Sequence, residues 1–304
     1  MKFTIAQVSR IGTRAYQQDR FGHWSTRTSL LMVVADGMGG HSHGEVAAQI
    51  AIDHLAIEFR RDAKPRLGDP DVFLFRALGR AHAAIQLEAQ RLRLPESPAT
   101  VIVACVVQDG YAYWNHVGDS RLYLIRSGRV VTRTKDHSRV QQLVDEGRIR
   151  EESIPSHPDR NKLLQCLGGL QPPKIEPASS ARLAKNDIVF LCSDGLWGPI
   201  TQRHLLAALL SKDLGGAVRD LSSLAEARAG AECDNISILA MLWGEDEVAP
   251  MTEPRTLSKH EMPTHTQDLG SADTEYLRMT DADIDRAIAD IRAAVAKNKP
   301  RNGR

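Results

Sequence analysis

Residues 30–40 read Leu-Leu-Met-Val-Val-Ala-Asp-Gly-Met-Gly-Gly, an uninterrupted apolar run that ends in an aspartate and a glycine-rich turn. A continuous apolar run of this length predicts a strand buried on both faces. The carboxylate of Asp36 then lies where the strand leaves the sheet, and the glycines allow the backbone to approach a ligand closely. Taken alone, this Asp-Gly pair also fits an ordinary turn between a strand and a helix.

The same arrangement recurs elsewhere in the chain. Four further aspartates, far apart in sequence, lie at or near the ends of apolar runs: Asp19, Asp119, Asp194 and Asp234. Carboxylates at strand ends can converge on one edge of a sheet, and converging like charges repel unless a cation holds them together. Oxygen ligands of this kind suit Mg²⁺ or Mn²⁺. The sequence therefore predicts a site for hard divalent cations.

Composition excludes several function classes. The chain has 304 residues, 42% hydrophobic and 25% charged, with a formal net charge of +1. This balance disfavours nucleic-acid binding through bulk charge. No stretch approaches the roughly 20 apolar residues of a membrane span, and the first residues lack the apolar region of a signal peptide. The four cysteines have no metal-type or redox spacing. Together with the lack of a membrane span, this predicts a cytoplasmic protein without membrane insertion.

Apolar periodicity predicts an α+β protein. Helical spacing covers residues 45–60 and about 71–92, and three strands follow at 99–107, 111–117 and 122–126. Turns at 109–110 and 127–128 predict antiparallel hairpins, and the Gly-Asp-Ser-Arg stretch at 118–121 also fits a hairpin turn. Helix pairs followed by such strands favour antiparallel sheets over a doubly wound parallel sheet.

Three segments stand apart from this pattern. Residues 136–175 are polar and rich in proline, which predicts a flap-like insertion beside the site. Residues 245–279 have little apolar content and predict a disordered linker. Residues 280–298 predict an amphipathic helix with one apolar stripe, which either folds back onto the preceding domain or docks a partner.

Together the motifs resemble those of the metal-dependent protein Ser/Thr phosphatases of the type 2C (PPM) family, bacterial members in particular. The resemblance covers about residues 1–244, and the motifs follow the family's order. They are Arg14 to Asp19, Asp-Gly-Met-Gly-Gly at 36–40, Gly-Asp-Ser-Arg at 118–121, Ser-Asp-Gly at 193–195 and Asp-Asn at 234–235. The resemblance implies a four-layer α-β-β-α sandwich with two central antiparallel sheets and a metal site at one end.

The resemblance also implies roles for individual residues. Asp36, helped by the Gly37 carbonyl, would bridge two core Mn²⁺ or Mg²⁺ ions. Asp194 and Asp234 would complete the first site, and Asp19 would approach the second directly or through water.

Two further roles follow from the same motif match. Asp119, with Asp194, would hold a third, weaker ion, and Arg14 would receive the substrate phosphate. The catalytic set would be Asp36, Asp194 and Arg14. The implied reaction is hydrolysis of phosphoserine and phosphothreonine on proteins, by a metal-activated water attacking phosphorus in line. Such an enzyme would reverse a bacterial Ser/Thr kinase, so the implied partners are that kinase and its phosphorylated targets.

The sequence departs from the family at two positions. Gln18 stands where an acidic residue is usual, so the second metal site carries less charge, and Met38 replaces the histidine of eukaryotic relatives. The proton donor is left open between a metal-bound water and His41. A competing interpretation is a phosphoprotein-binding regulator on a degenerate phosphatase scaffold, supported by Gln18 alone. An aspartyl-phosphate phosphatase is rejected because Met38 stands where that chemistry needs a second acid.

Overall fold

A computed structural model describes residues 1–38, 43–94 and 97–244 of the chain. Its strands are β1 (Phe3–Arg10), β2 (Arg20–Ser25), β3 (Ser29–Met38), β4 (Ala99–Gln108), β5 (Tyr111–Val117), β6 (Arg121–Arg126), β7 (Arg129–Arg133), β8 (Ser179–Arg182), β9 (Ile188–Cys192) and β10 (Ile236–Trp243). Its α-helices are α1 (Gly44–Asp62), α2 (Pro70–Arg91), α3 (Arg139–Asp145), α4 (Asp194–Trp197), α5 (Gln202–Ser211) and α6 (Leu214–Ala229).

The strands form two five-stranded sheets. One has the order β1-β10-β9-β6-β7 and the other β2-β3-β4-β5-β8, and all neighbours pair antiparallel. Successive side chains of a strand point to opposite faces, and β3 is apolar on both. Leu30, Met32 and Val34 pack in the core between the sheets. Leu31 and Val33 pack instead against α1 and α2.

The layers follow from these faces. Helices α1 and α2 cover the outer face of one sheet, while α5 and α6 cover the outer face of the other, around Phe190 and Ile238. The result is an α-β-β-α sandwich of two antiparallel sheets, which confirms the predicted α+β fold class. Helices α1 and α2 lie within two residues of the predicted ranges, whereas the short strands β2 and β8 were not predicted.

The two predicted hairpins are confirmed, whereas the alternative hairpin at 118–121 is not found. Asp109 and Gly110 have φ angles of 52° and 76°, and Ser127 and Gly128 have 48° and 72°. Two left-handed residues in succession match the twist of hairpin strands. The 118–121 stretch is not a hairpin, because β5 pairs only with β4 and β8, whereas β6 pairs with β7 and β9 in the other sheet. It is a crossover between the two sheets.

The predicted insertion contains α3 and a 3₁₀ turn at Glu151–Ser156. The predicted linker at 245–279 and the predicted helix at 280–298 lie outside the described residues. Within the ranges that the structure describes, no helix combines the length and apolar character needed to cross a membrane.

Candidate metal-dependent active site

The five strand-end aspartates lie at the same end of the sandwich. Asp194 lies just after β9 and Asp234 just before β10, and these two strands are antiparallel neighbours. In the other sheet, Asp19 precedes β2 while Asp36 lies near the end of β3, again an antiparallel pair. Asp119 occupies the crossover from β5 to β6. The topology therefore brings carboxylates from both sheets to one edge.

Electrostatics show that these carboxylates affect one another. Loss of solvation is the largest cause of a raised pKa at four of them, and repulsion from neighbouring aspartates adds to it. The pKa of Asp19 is raised to about 7 and that of Asp194 to about 6. The pKa values of Asp36 and Asp119 are raised well above the ordinary range of a carboxyl group. A cation bound among them would relieve this repulsion.

The two carboxylate oxygens of Asp19 differ in their hydrogen bonding. The Ser193 hydroxyl donates a 2.7 Å hydrogen bond to Asp19 Oδ2. Asp19 is only 2% exposed, and its Oδ1 is buried without a hydrogen-bond partner among the described residues. A buried carboxylate oxygen without a donor is costly unless another positive group satisfies it.

Arg14 lies at the solvent side of the cluster. Its Nη2 donates a 2.6 Å hydrogen bond to Asp234 Oδ2, and its side chain is 59% exposed. This hydrogen bond is the first cause of the raised pKa of Arg14, and the charges of Asp194 and Asp36 contribute further. The guanidinium therefore faces the acidic cluster and remains accessible to a ligand.

Two glycines allow the turns of the site to touch. A Cβ on Gly37 would lie 2.4 Å from the carbonyl carbon and oxygen of Gly44, the first residue of α1. A Cβ on Gly195 would lie 2.1 Å from the Asn235 carbonyl oxygen. Both contacts are with backbone, which cannot move aside as a flexible side chain can. The glycines thus bring each Asp-Gly turn against its neighbouring segment.

The sequence interpretation missed two polar residues that organise the site, Ser193 and Asn235. Asn235 Oδ1 accepts a 2.7 Å hydrogen bond from the Gln18 backbone N–H, and its Nδ2 donates to the carbonyls of Ile11 and Tyr16. It therefore fixes the loop that carries Arg14. Both residues stand beside aspartates in the quoted motifs, which was the available signal.

The carboxylates of the described residues are not oriented as a complete set of metal ligands. Across residues 1–38, 43–94 and 97–244, no group of three or more Asp, Glu, His or Cys side chains is placed so that it could hold a metal ion. Asp19 is turned to Ser193 and Asp234 to Arg14. His41, a candidate proton donor, lies outside the described residues.

Comparison with known proteins identifies the family. The family model described as "Protein phosphatase 2C" matches residues 6–212. This match spans more than half of the chain and includes four of the five motifs. The chain belongs to the protein phosphatase 2C family.

Two bacterial phosphatases are similar to this chain. The chain is 36% identical over 210 residues to the serine/threonine protein phosphatase PstP of Mycobacterium tuberculosis, covering 69% of this chain and 39% of PstP. The chain thus spans well under half the length of that relative. It is 32% identical to a putative protein phosphatase 2C-type of Streptococcus pyogenes, covering 77% of this chain and 94% of the relative.

A solved structure shares the fold. The catalytic domain of PstP, in complex with two manganese ions, matches with a TM-score of 0.67 and 31% identity over 79% of this chain and 97% of that one. The residues present here fit such ions on chemical grounds. Carboxylates and a carbonyl are the ligands that hard divalent cations prefer, and Asp19 Oδ1 is a buried oxygen with no hydrogen bond of regular geometry among the described residues.

Proposed function

We propose that this chain is a metal-dependent protein phosphatase that hydrolyses phosphoserine and phosphothreonine on proteins. The observation that carries the proposal is the convergence of five aspartates from two sheets, with the pKa values of four of them raised. Membership of the phosphatase 2C family supports it, since the named relatives are serine/threonine phosphatases.

The carboxylates define where divalent cations would bind. Asp36 and the Gly37 carbonyl would serve both core ions, Asp194 and Asp234 the first, and Asp19 the second. Mn²⁺ and Mg²⁺ both suit these oxygen ligands. When bound, such ions lower the pKa of a water molecule and offset charge on a phosphoryl group.

The remaining residues of the site handle the substrate. The planar guanidinium of Arg14 can donate two parallel hydrogen bonds to a phosphate dianion, and its exposure leaves it open to a phosphorylated side chain. Asp36, Asp194 and Arg14 form the proposed catalytic set for an in-line attack of water on phosphorus. Asp119, with Asp194, would hold a third and weaker ion.

Substrate selection would involve the parts around this site. We expect the 136–175 insertion to shape the rim that a phosphoprotein contacts, and the 280–298 segment to recruit a partner. The physiological substrates would be targets of a Ser/Thr kinase that the enzyme opposes, and the kinase itself. A cytoplasmic location is supported by the free thiols of all four cysteines.

Phosphate release from a phosphothreonine peptide tests the proposal. The full chain and Asp194→Asn are assayed with Mn²⁺, with Mg²⁺ and with EDTA. We expect turnover by the wild type with metal, and its loss with EDTA or with the substitution. A folded wild type that binds the phosphopeptide but releases no phosphate under any condition would instead favour the regulator interpretation.

Recruitment through the tail is tested by deleting residues 245–304. The shortened chain should retain activity on the phosphopeptide and lose activity on a phosphorylated protein substrate. Equal activity on both substrates would contradict recruitment.

A further inference from the structure

A buried ion pair lies beside the turn that carries Asp119. Arg121 Nε and Nη2 donate to the two oxygens of Asp136 at 2.8 and 2.6 Å. The two side chains are 7% and 1% exposed, and Arg121 also donates to the Tyr123 hydroxyl at 3.3 Å. Two parallel hydrogen bonds in a buried setting fix the orientation of both groups.

Trp197 connects this ion pair to two proposed metal ligands. The Arg121 guanidinium carbon lies 3.7 Å from the centroid of the Trp197 ring. The indole Nε1 of Trp197 donates a 2.9 Å hydrogen bond to the Asp119 carbonyl oxygen. Trp197 is also the last residue of α4, the single turn that begins at Asp194. One side chain therefore contacts the Asp119 backbone while belonging to the turn that carries Asp194.

The insertion holds the other side of the same turn. The His137 backbone N–H donates to the Gly118 carbonyl at 2.8 Å, and the Gly118 N–H donates to His137 Nδ1 at 3.2 Å. Asp136 and His137, the first residues of the insertion, thus bracket Asp119 through Gly118 on one side and Arg121, two residues on, on the other. The backbone of Asp119 is held by the third contact, from Trp197.

Stability alone is a weak reason for such a cluster. A buried ion pair contributes little net stability relative to apolar residues of similar size, because both charges lose their hydration. Its geometric effect is larger, since hydrogen-bonded groups behind a metal ligand orient that ligand. Here the cluster joins the two segments that carry Asp119 and Asp194, the β5–β6 crossover and α4, through the hydrogen bond from Trp197 to the Asp119 backbone.

We propose that Arg121, Asp136 and Trp197 are positioning residues that fix Asp119 relative to Asp194 for binding a divalent cation. This inference rests on the proposed function, because it assumes that the two aspartates share an ion. None of the three residues needs to touch the ion or the substrate.

Mn²⁺ binding by the full chain tests this inference. Trp197→Phe keeps a ring for Arg121 to stack on and removes the indole donor. Asp136→Asn keeps the shape of the side chain and an acceptor for Arg121 but removes the charge. Trp243→Phe, at the far end of β10, is the matched control. Mn²⁺ affinity is measured by calorimetry and by the Mn²⁺-dependent rise in melting temperature, and phosphopeptide turnover is measured alongside.

We expect both variants to bind the weakest Mn²⁺ ion roughly tenfold less tightly, whereas Trp243→Phe should bind as the wild type does. In an Asp119→Asn background, Trp197→Phe should have no further effect on Mn²⁺ affinity. A lower metal-free melting temperature with unchanged Mn²⁺ affinity in the two variants would overturn the inference and leave a structural role. If one variant does not fold, the other decides. If the Mn²⁺ affinities differ among the variants as expected but the wild type releases no phosphate from the phosphopeptide, only the phosphatase proposal is removed.

Discussion

Ser193 donates a hydrogen bond to Asp19 across 174 positions of sequence, and it joins the two sheets at the acidic end of the sandwich. Ser193 follows β9 in one sheet, and Asp19 precedes β2 in the other. The same hydroxyl accepts a 3.0 Å hydrogen bond from the Ser237 backbone N–H at the start of β10. A single buried hydroxyl therefore fixes three segments that carry or flank proposed metal ligands.

Ser193→Ala should destabilise the fold. The substitution leaves Asp19 Oδ2 and the Ser237 N–H without their partner in a buried setting, which costs about 1–3 kcal/mol. Urea unfolding measures the change, with Ser156→Ala as control, because that hydroxyl is exposed and donates to the nearby Ser153 carbonyl. Identical unfolding curves for Ser193→Ala and the control would show that the bridge contributes nothing.

Gly195→Ala should affect both stability and activity. The new Cβ would lie 2.1 Å from the Asn235 carbonyl oxygen, so one of two constrained backbone segments must shift, at about 1–3 kcal/mol. The shift displaces Asp194 and Asp234, and phosphopeptide turnover should fall with it. Gly68→Ala is the control, because a methyl group added there would meet no atom within 4 Å and its stability should stay within about 1 kcal/mol of wild type. Equal stability of the two variants would contradict the prediction.

Arg14→Lys should weaken substrate use while leaving metal binding intact. An ammonium group cannot make the two parallel hydrogen bonds of a guanidinium, and losing one bond to a charged group costs about 1.5–3 kcal/mol, or roughly ten- to a hundredfold in kcat/KM. The Mn²⁺-dependent rise in melting temperature should persist, because lysine keeps a positive charge beside Asp234 and the arginine itself contributes no metal ligand. Arg10→Lys, an exposed position at the end of β1, is the kinetic control. An unchanged kcat/KM for Arg14→Lys would remove its role in phosphate binding.

The strand-end aspartates could be predicted because local pattern determines them. An apolar run that stops at Asp-Gly indicates both a buried strand and a turn, and the run before Asp36 folds as β3. The position of Asp119 in a crossover could not be predicted, because it depends on which strands pair with β5 and β6. The motifs place Ser193 and Asn235 beside aspartates, but their hydrogen bonds could not be predicted, because these bonds join segments far apart in sequence.

Gln18→Glu should strengthen Mn²⁺ binding and lower the stability of the metal-free protein. Gln18 Nε2 lies 3.4 Å from Glu45 Oε2, so the substitution places a second carboxylate beside an existing one. Repulsion should lower the melting temperature in EDTA, and a cation that relieves the repulsion should then raise it by more than in the wild type. Gln202→Glu adds the same charge in the first turn of α5 and is the control. A Mn²⁺-dependent rise no larger than that of the wild type would show that residue 18 does not influence the metal.

His82 should make the stability of the fold depend on pH, because it binds Gly168 of the 136–175 insertion. His82 Nδ1 accepts a 3.0 Å hydrogen bond from the Gly168 backbone N–H, so the folded protein requires the neutral ring. Burial lowers the pKa of His82 from 6.5 to about 4. A lowered folded-state pKa means that the unfolded chain binds the proton more tightly, so stability is fully present above pH 6.5 and is lost as the pH falls toward 4. The loss attributable to His82 is about 2 kcal/mol at pH 5.

Other groups also titrate in this range, so the His82 contribution must be measured as a difference. His82→Asn offers an uncharged acceptor to Gly168, and the gap in unfolding free energy between the variant and the wild type should shift by about 2 kcal/mol in favour of the variant between pH 7 and pH 5. Urea unfolding at the two pH values measures that gap. His204→Asn, which replaces a histidine hydrogen-bonded to Thr201 at the start of α5, is the control in the same assay. A gap that does not change with pH would mean that His82 is not held neutral by the fold.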